Sequence, residues 1–290
     1  MTQADHPPVP PGLVLAVAVT AISAAAVLVR LAPDASPVAL AFWRTGVVGL
    51  LLAASFTSAT QRRELARATT SDRWVMAFAG LLLAGHFWAW FESLRHTTVL
   101  RSTLLVCLNP VWAGLLGWWL LGERPSRGFF WGIPVAVVGV AILSGGSLGG
   151  GALVGDLLAL LGGVLAALYL LAGRRARARV GIGPYGATVC LVCAVALLPV
   201  AALTGAPLTG FAPSTWLAIA GLTLGPQLLG HIGLNYSVRF LSAATVSAVV
   251  LVEPVGAAAL GALVLGEIPT GQELLGGAVV LVGVGIATLR

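Results

Sequence analysis

The chain has 290 residues, 58% of them hydrophobic and only 9% charged, with a net charge of +6 and a mean hydropathy of +0.99. A soluble domain carries roughly a quarter of its residues as charges, so a soluble or disordered class is excluded and an all-α integral membrane protein is expected. The basic side chains other than histidine are all Arg, and Arg in short loops is a topology signal, so the positive charge does not call for nucleic acid.

A membrane crossing takes about 20 apolar residues. On that ruler ten transmembrane helices are expected, at 13–30, 37–56, 74–94, 98–121, 128–144, 153–173, 184–203, 215–238, 243–265 and 271–289. Turn-rich pieces separate them at Ala32 to Pro37, Gly145 to Gly151 and Thr204 to Pro213. The opening MTQADHPPVPPG lacks a basic n-region, so no cleaved leader is expected. Arg62, Arg63, Arg67 and Arg73 fall between the second and third spans, Arg124 and Arg127 after the fourth, and Arg174, Arg175, Arg177 and Arg179 after the sixth. Arg239 and Arg290 join that face, and the other face is assigned only Arg30 and Arg95. The positive-inside rule then puts both termini in the cytoplasm.

The chain also repeats. The stretch Ala244 to Glu267 has a partner within Thr97 to Glu123 at one gapless offset: Pro110 meets Pro254 and Glu123 meets Glu267, each 144 residues apart. Arg95 meets Arg239, Gly117 meets Gly261, Gly132 meets Gly276 and Gly139 meets Gly283 at that same offset. Matches of Pro, Glu and Arg carry weight in so biased a composition, and they point to an internal duplication. The expected units are residues 13–144 and 153–289. Five spans per unit is an odd number, so the second unit must sit upside down relative to the first, which is the inverted-repeat plan of secondary transporters.

Several stretches resemble the EamA-type members of the drug/metabolite transporter superfamily. They are Ala41-Phe42-Trp43-Arg44, Asn109-Pro110 through Gly122-Glu123-Arg124, Gly155 to Leu160, Glu253-Pro254 through Leu265-Gly266-Glu267, and Gln272 to Gly276. The resemblance implies an exporter of small metabolites working by alternating access in a bacterial inner membrane. Amino-acid exporters, including those for aromatic amino acids and for threonine and homoserine, are among the well-known bacterial members. It implies a small-molecule substrate; protons are a further candidate partner, through Glu253 below, and no cofactor is expected.

Depth along each span, at about 1.5 Å per residue, puts His86, Trp88, Asn109, Trp112, Gln227, His231 and Glu253 near the midplane. Ionisable groups there are functional candidates by default. Glu253, whose equivalent in the first unit is Asn109, is read as a proton-coupling group or an anchor for a substrate ammonium. The alternative is a neutral Glu bonded to backbone freed by Pro254. Gln227, His231 and Asn235 fall at i, i+4 and i+8 on one face, lining a cavity or bonding a neighbouring helix. His86 and His231 are candidate substrate contacts or interhelical bonds. Irregular points at Gly85-His86 and Gly225-Pro226 are expected in matching helices, a pointer to a binding site. Arg44 either grips a substrate carboxylate as a planar fork or pairs with an acid such as Glu92 or Asp156. Trp88 and Trp112 can stack on an aromatic substrate, and lipid contact or packing fits them as well. Cys190 and Cys193 form a CxxC without a second ligand pair, so no metal or redox site is expected. The chain has no HExxH, GxSxG or P-loop motif; a membrane-embedded enzyme or a channel remains the alternative to a carrier.

Overall fold

Apolar runs, Pro at helix starts and polar caps set where the helices begin. The computed structural model describes residues 9–54, 63, 65–145, 151–177, 179–241 and 243–288, and every regular element among them is helical. The glycine run after Gly145 and the Arg62 position lie outside the described residues. The helices are α1 (Pro11–Ser23), α2 (Ala25–Arg30), α3 (Pro37–Ala54), α4 (Thr70–Ser93), α5 (Val99–Val106), α6 (Asn109–Leu121), α7 (Arg127–Ser144), α8 (Gly151–Arg177), α9 (Ile182–Thr204) and α10 (Pro213–Leu222). A π-helical segment (Thr223–His231) leads into α11 (Ile232–Phe240). Then come α12 (Ala243–Val250), α13 (Glu253–Leu260) with a π-helical end (Gly261–Leu265), and α14 (Gly271–Thr288).

Capping follows from the local sequence. Thr69 and Asp72 form a reciprocal capping box on α4, the two backbone N–H bonds each 3.1 Å. Thr270 and Glu273 do the same on α14, at 2.9 and 3.2 Å. Ser126, at the same offset from Thr270 as the repeat, accepts from Phe129 N at 3.2 Å to start α7. Each such cap satisfies N–H groups that a helix start leaves open.

Among the described residues nine helices are long and apolar enough to cross a membrane, and Glu253–Leu265 is a shorter apolar helix. The expected span 243–265 is therefore broken. Leu251 and Val252 form a turn between α12 and α13, and Cys107 and Leu108 form a turn between α5 and α6. The two breaks are related by the repeat offset, and each is followed by a proline in the first turn of the next helix. Proline fits there because it has no N–H to leave unbonded. The third expected span behaves otherwise: α4 runs unbroken from Thr70 to Ser93 through Gly85-His86. The matched irregular points are the turns before Asn109-Pro110 and Glu253-Pro254, and Gly225-Pro226 lies within a π segment.

The two halves pack through each other: α14 lies along α7, α8 along α4, and α9 along α3. The α7–α14 seam is so close that a Cβ on Gly276 would stand 2.6 Å from Leu143 N and 3.0 Å from Gly139 O. Small residues let helix backbones approach where lipid supplies no hydrophobic drive. At one end of the bundle Arg101 pairs with Asp156, which also accepts from Thr97 Oγ1 at 3.3 Å, and Arg101 donates to Leu143 O at 3.0 Å. Arg101 thus joins Arg30 and Arg95 on the face assigned only those two, because its position falls at the start of the fourth span. Asp156 and Arg174 share α8, 18 residues or about 27 Å apart, so Arg174 marks the opposite end.

Candidate functional site

The site grows from one side chain. Arg44 lies on α3 with 0% of its surface exposed, although it is the longest cation available to the chain. A charged side chain at the centre of a span costs about 2.5–3.5 kcal/mol on insertion scales, so a specific environment must hold it. Arg44 Nε donates to Gln227 Oε1 at 2.6 Å, and the guanidinium lies 4.2 Å from the centroid of Phe87 and 5.7 Å from that of Phe91. Gln227 is fixed in turn by a 3.6 Å bond from Nε2 to Cys190 Sγ. It sits in the π-helical segment around Pro226, where the widened turn replaces a regular ladder; π segments recur at functional sites.

Four buried side-chain polar atoms among the described residues have no hydrogen-bond partner: Arg44 Nη1, Arg44 Nη2, Trp90 Nε1 and Trp112 Nε1. All four are donors. Buried donors are normally satisfied, and each exception asks for an explanation. Trp90 and Trp112 stand against neighbouring glycines of α8: a Cβ on Gly162 would meet Trp90 and one on Gly163 would meet Trp112, each at 3.4 Å. His86 Nδ1 bonds Gly162 O at 2.9 Å and its ring stacks on Trp90 at 5.9 Å. His231 meets Phe87 edge-on at 6.3 Å. Glu253 opens α13 directly after its break, half-buried, and Cys107 Sγ at the partner break donates to its carboxylate at 3.9 Å. Glu253 and both histidines are electrostatic neighbours of the Arg44 guanidinium.

The structure thus gathers Arg44, His86, Gln227, His231 and Glu253 around one buried guanidinium. Asn109 and Trp112 follow the neighbouring break in the first turn of α6, both half-buried, and Trp112 packs against the buried cluster that holds Leu105, Leu108 and Val111. Trp88 does not join them. It is 39% exposed, because the α4 face carrying His86, Phe87, Trp90 and Phe91 turns inward and position 88 points out of the bundle. The side chain of Asn235 lies outside the described residues. The acids proposed to pair with Arg44 are taken elsewhere: Asp156 by Arg101 and Glu92 by His96 at 3.2 Å. The reading of Arg44 as a permanent ion pair with either is corrected accordingly. The sequence reading missed Phe87 and Phe91 as the walls around Arg44, and Trp90 as a buried donor. The signal was the i, i+4 spacing of the two phenylalanines beside His86.

The comparisons agree with this architecture. Residues 10–145 and 153–289 each match the family described as "EamA-like transporter family". An "Uncharacterized transporter YyaM" of Bacillus subtilis is 27% identical over 226 residues, 73% of this chain and 72% of that one. A "Probable terminal-alkyne amino-acid exporter" of Streptantibioticus cattleyicolor is 29% identical over 203 residues, 67% of this chain and 66% of that protein. A solved crystal structure superposes with a TM-score of 0.67 at 23% identity, covering 96% of each chain, a likeness of fold alone. The chain belongs to the EamA-like transporter family, and it is a multi-pass membrane transporter rather than an enzyme.

Proposed function

We propose that this protein is a secondary carrier that exports small carboxylate-bearing metabolites, amino acids first among them, across a bacterial inner membrane. The carrying observation is Arg44, wholly buried and with both terminal nitrogens unpartnered among the described residues. Gln227 holds Nε, which leaves the outer edge of the planar fork for a carboxylate to bridge in two bonds. The Trp90 and Trp112 indole N–H groups are further unmet donors. Unmet buried donors favour a ligand rich in acceptors.

In this reading the carrier has ten transmembrane helices in two five-helix units, 13–144 and 153–289, inverted with respect to each other, and both termini are cytoplasmic. The end that carries Arg63, Arg67, Arg124, Arg127, Arg174, Arg177 and Arg179 faces the cytoplasm. The substrate site lies where the broken helices meet, between the units. His86, Gln227, His231, Asn109 and Trp112 surround the substrate. Glu253 is the proton-coupling group, placed to take a proton when the substrate leaves and to release it on the other side. The relative from Streptantibioticus cattleyicolor, named for amino-acid export, fits the same substrate class. Flux into proteoliposomes with a panel of radiolabelled amino acids, with and without an imposed pH gradient, tests the reading. Saturable uptake of some members supports it, and no uptake of any amino acid overturns the substrate class.

A further inference from the structure

Two ion pairs, one at each end of the bundle, are built from the same two positions of the repeat with the halves exchanged. Arg30 and Arg174 are related by the repeat offset, and so are Glu123 and Glu267. Arg30 of the first half pairs with Glu267 of the second, and Arg174 of the second half pairs with Glu123 of the first. The local geometry is repeated as well. Each glutamate follows a left-handed glycine, Gly122 at φ 69° and Gly266 at φ 70°. Each glutamate N–H donates back to a glycine carbonyl, Glu123 to Gly117 and Glu267 to Gly261, both at 3.2 Å. Gly122 and Gly266 stand at a backbone conformation that a Cβ disfavours, and that conformation aims the following carboxylate across to the other half.

The two pairs are not in the same condition. Arg30 also donates from Nη1 to Leu94 O at 2.7 Å, and Glu267 Oε2 accepts from Val99 N at 3.0 Å. That pair therefore ties α2 to the end of α4 and to the start of α5. Each partner also lines a cleft, Glu267 one of about 280 Å³ and Arg30 one of about 230 Å³. Its side chains are 32% and 21% exposed. Arg174 donates from one nitrogen to both oxygens of Glu123, at 2.8 and 3.0 Å. Those side chains are 54% and 50% exposed, and among the described residues they make no further side-chain hydrogen bond.

We infer that these pairs are reciprocal gate latches: Arg30–Glu267 holds the bundle shut at its outer end, Arg174–Glu123 holds it shut at the cytoplasmic end, and their balance sets which way the carrier faces. The inference rests on the alternating-access reading above. Inverted halves that exchange conformations must exchange these contacts too. The latch tied into three helices would then loosen as the bare one gains partners.

The test needs no substrate. Cys107 lies beside Glu253 at the paired breaks and serves as a natural reporter. Its labelling by a membrane-impermeant maleimide is followed by peptide mass spectrometry in right-side-out and inside-out vesicles. Glu267→Gln is expected to raise labelling from the outer face and lower it from the cytoplasmic face, by about three- to fivefold, the scale a partly exposed pair can carry. Glu123→Gln is expected to do the reverse, and the double variant to return towards wild type. Should Glu267→Gln fail to insert, the charge-exchanged double variant Arg30→Glu/Glu267→Arg takes its place and is expected to restore the wild-type ratio that Arg30→Glu alone disturbs. Equal labelling ratios in wild type, Glu123→Gln and Glu267→Gln, or shifts of the same sign in both variants, overturn the latches. Failure of amino-acid flux with opposite labelling shifts would instead remove the substrate class and leave the latches standing.

Discussion

Arg44 Nε and Gln227 Oε1 meet at 2.6 Å, and this bond ties the second expected span to the π-helical centre of the eighth. It aligns the guanidinium so that one edge is held by protein and the other is unsatisfied. A cation built only for stability would have had both edges paired, since removing one partner of a buried charge is strongly destabilising.

The Arg44→Met variant separates those roles. Methionine fills most of the volume, and relief from a buried cation whose terminal nitrogens are unmet offsets the loss of the Gln227 bond. Thermal unfolding in detergent is expected at or above the wild-type temperature, with flux reduced at least tenfold. A large fall in unfolding temperature would mark Arg44 as structural. Arg44→Lys is expected to transport poorly as well, because a point charge cannot form the two-bond bridge.

Glu253→Gln is expected to insert and fold normally, since the amide keeps the size and can still bond Cys107. Its flux should lose the response to an imposed pH gradient while counterflow exchange of substrate persists. Full gradient-driven flux in this variant would remove Glu253 from proton coupling.

Gly276→Val tests the seam between α7 and α14. The added side chain meets Leu143 N at 2.6 Å, backbone that cannot turn aside. Overpacking of this kind costs about 1–3 kcal/mol, to be read as a lowered unfolding temperature. Unchanged stability would mean that the seam is looser than it stands here.

Asp34 lies in the loop between α2 and α3, outside the membrane-spanning segments. The Thr215 hydroxyl and then the Ala212 N–H, at 2.8 Å, hold its carboxyl below the ordinary value of 3.8. The folded value is depressed, so this tether contributes above about pH 4 and is lost as pH falls through the lowered value. The wild type should therefore lose some thermal stability on acidification in that window, and Asp34→Asn should lack this step. A step of equal size in both would assign it to other carboxyls.

Membrane class and nine of the ten expected spans were legible because they depend on composition and length, and the two-repeat plan because it depends on matches at one offset. Pro110 and Pro254 were visible as partners, yet the turns before them were not foreseen. An apolar run reads the same whether the helix continues or breaks, and Gly85-His86 drew attention to a helix that continues. Arg44 and Glu253 stood out because charge is costly in a span. Which acid meets which base was not legible: Asp156 and Arg101 come together only through the docking of α8, and no local pattern encodes that. Trp88 and Trp90 illustrate the same limit. Two positions apart on one helix, one points outward and the other inward, and only packing decides between them.

Substrate recognition turns on a carboxylate bridging Arg44. The direct measurement is proteoliposome flux of matched ligands: an amino acid, its carboxamide and its decarboxylated amine, each with wild type and Arg44→Met. Saturable flux of the amino acid, at least tenfold weaker for both analogues and abolished in the variant, is the predicted result. Equal wild-type flux of the amine and the amino acid would contradict the central claim and assign the buried guanidinium another purpose.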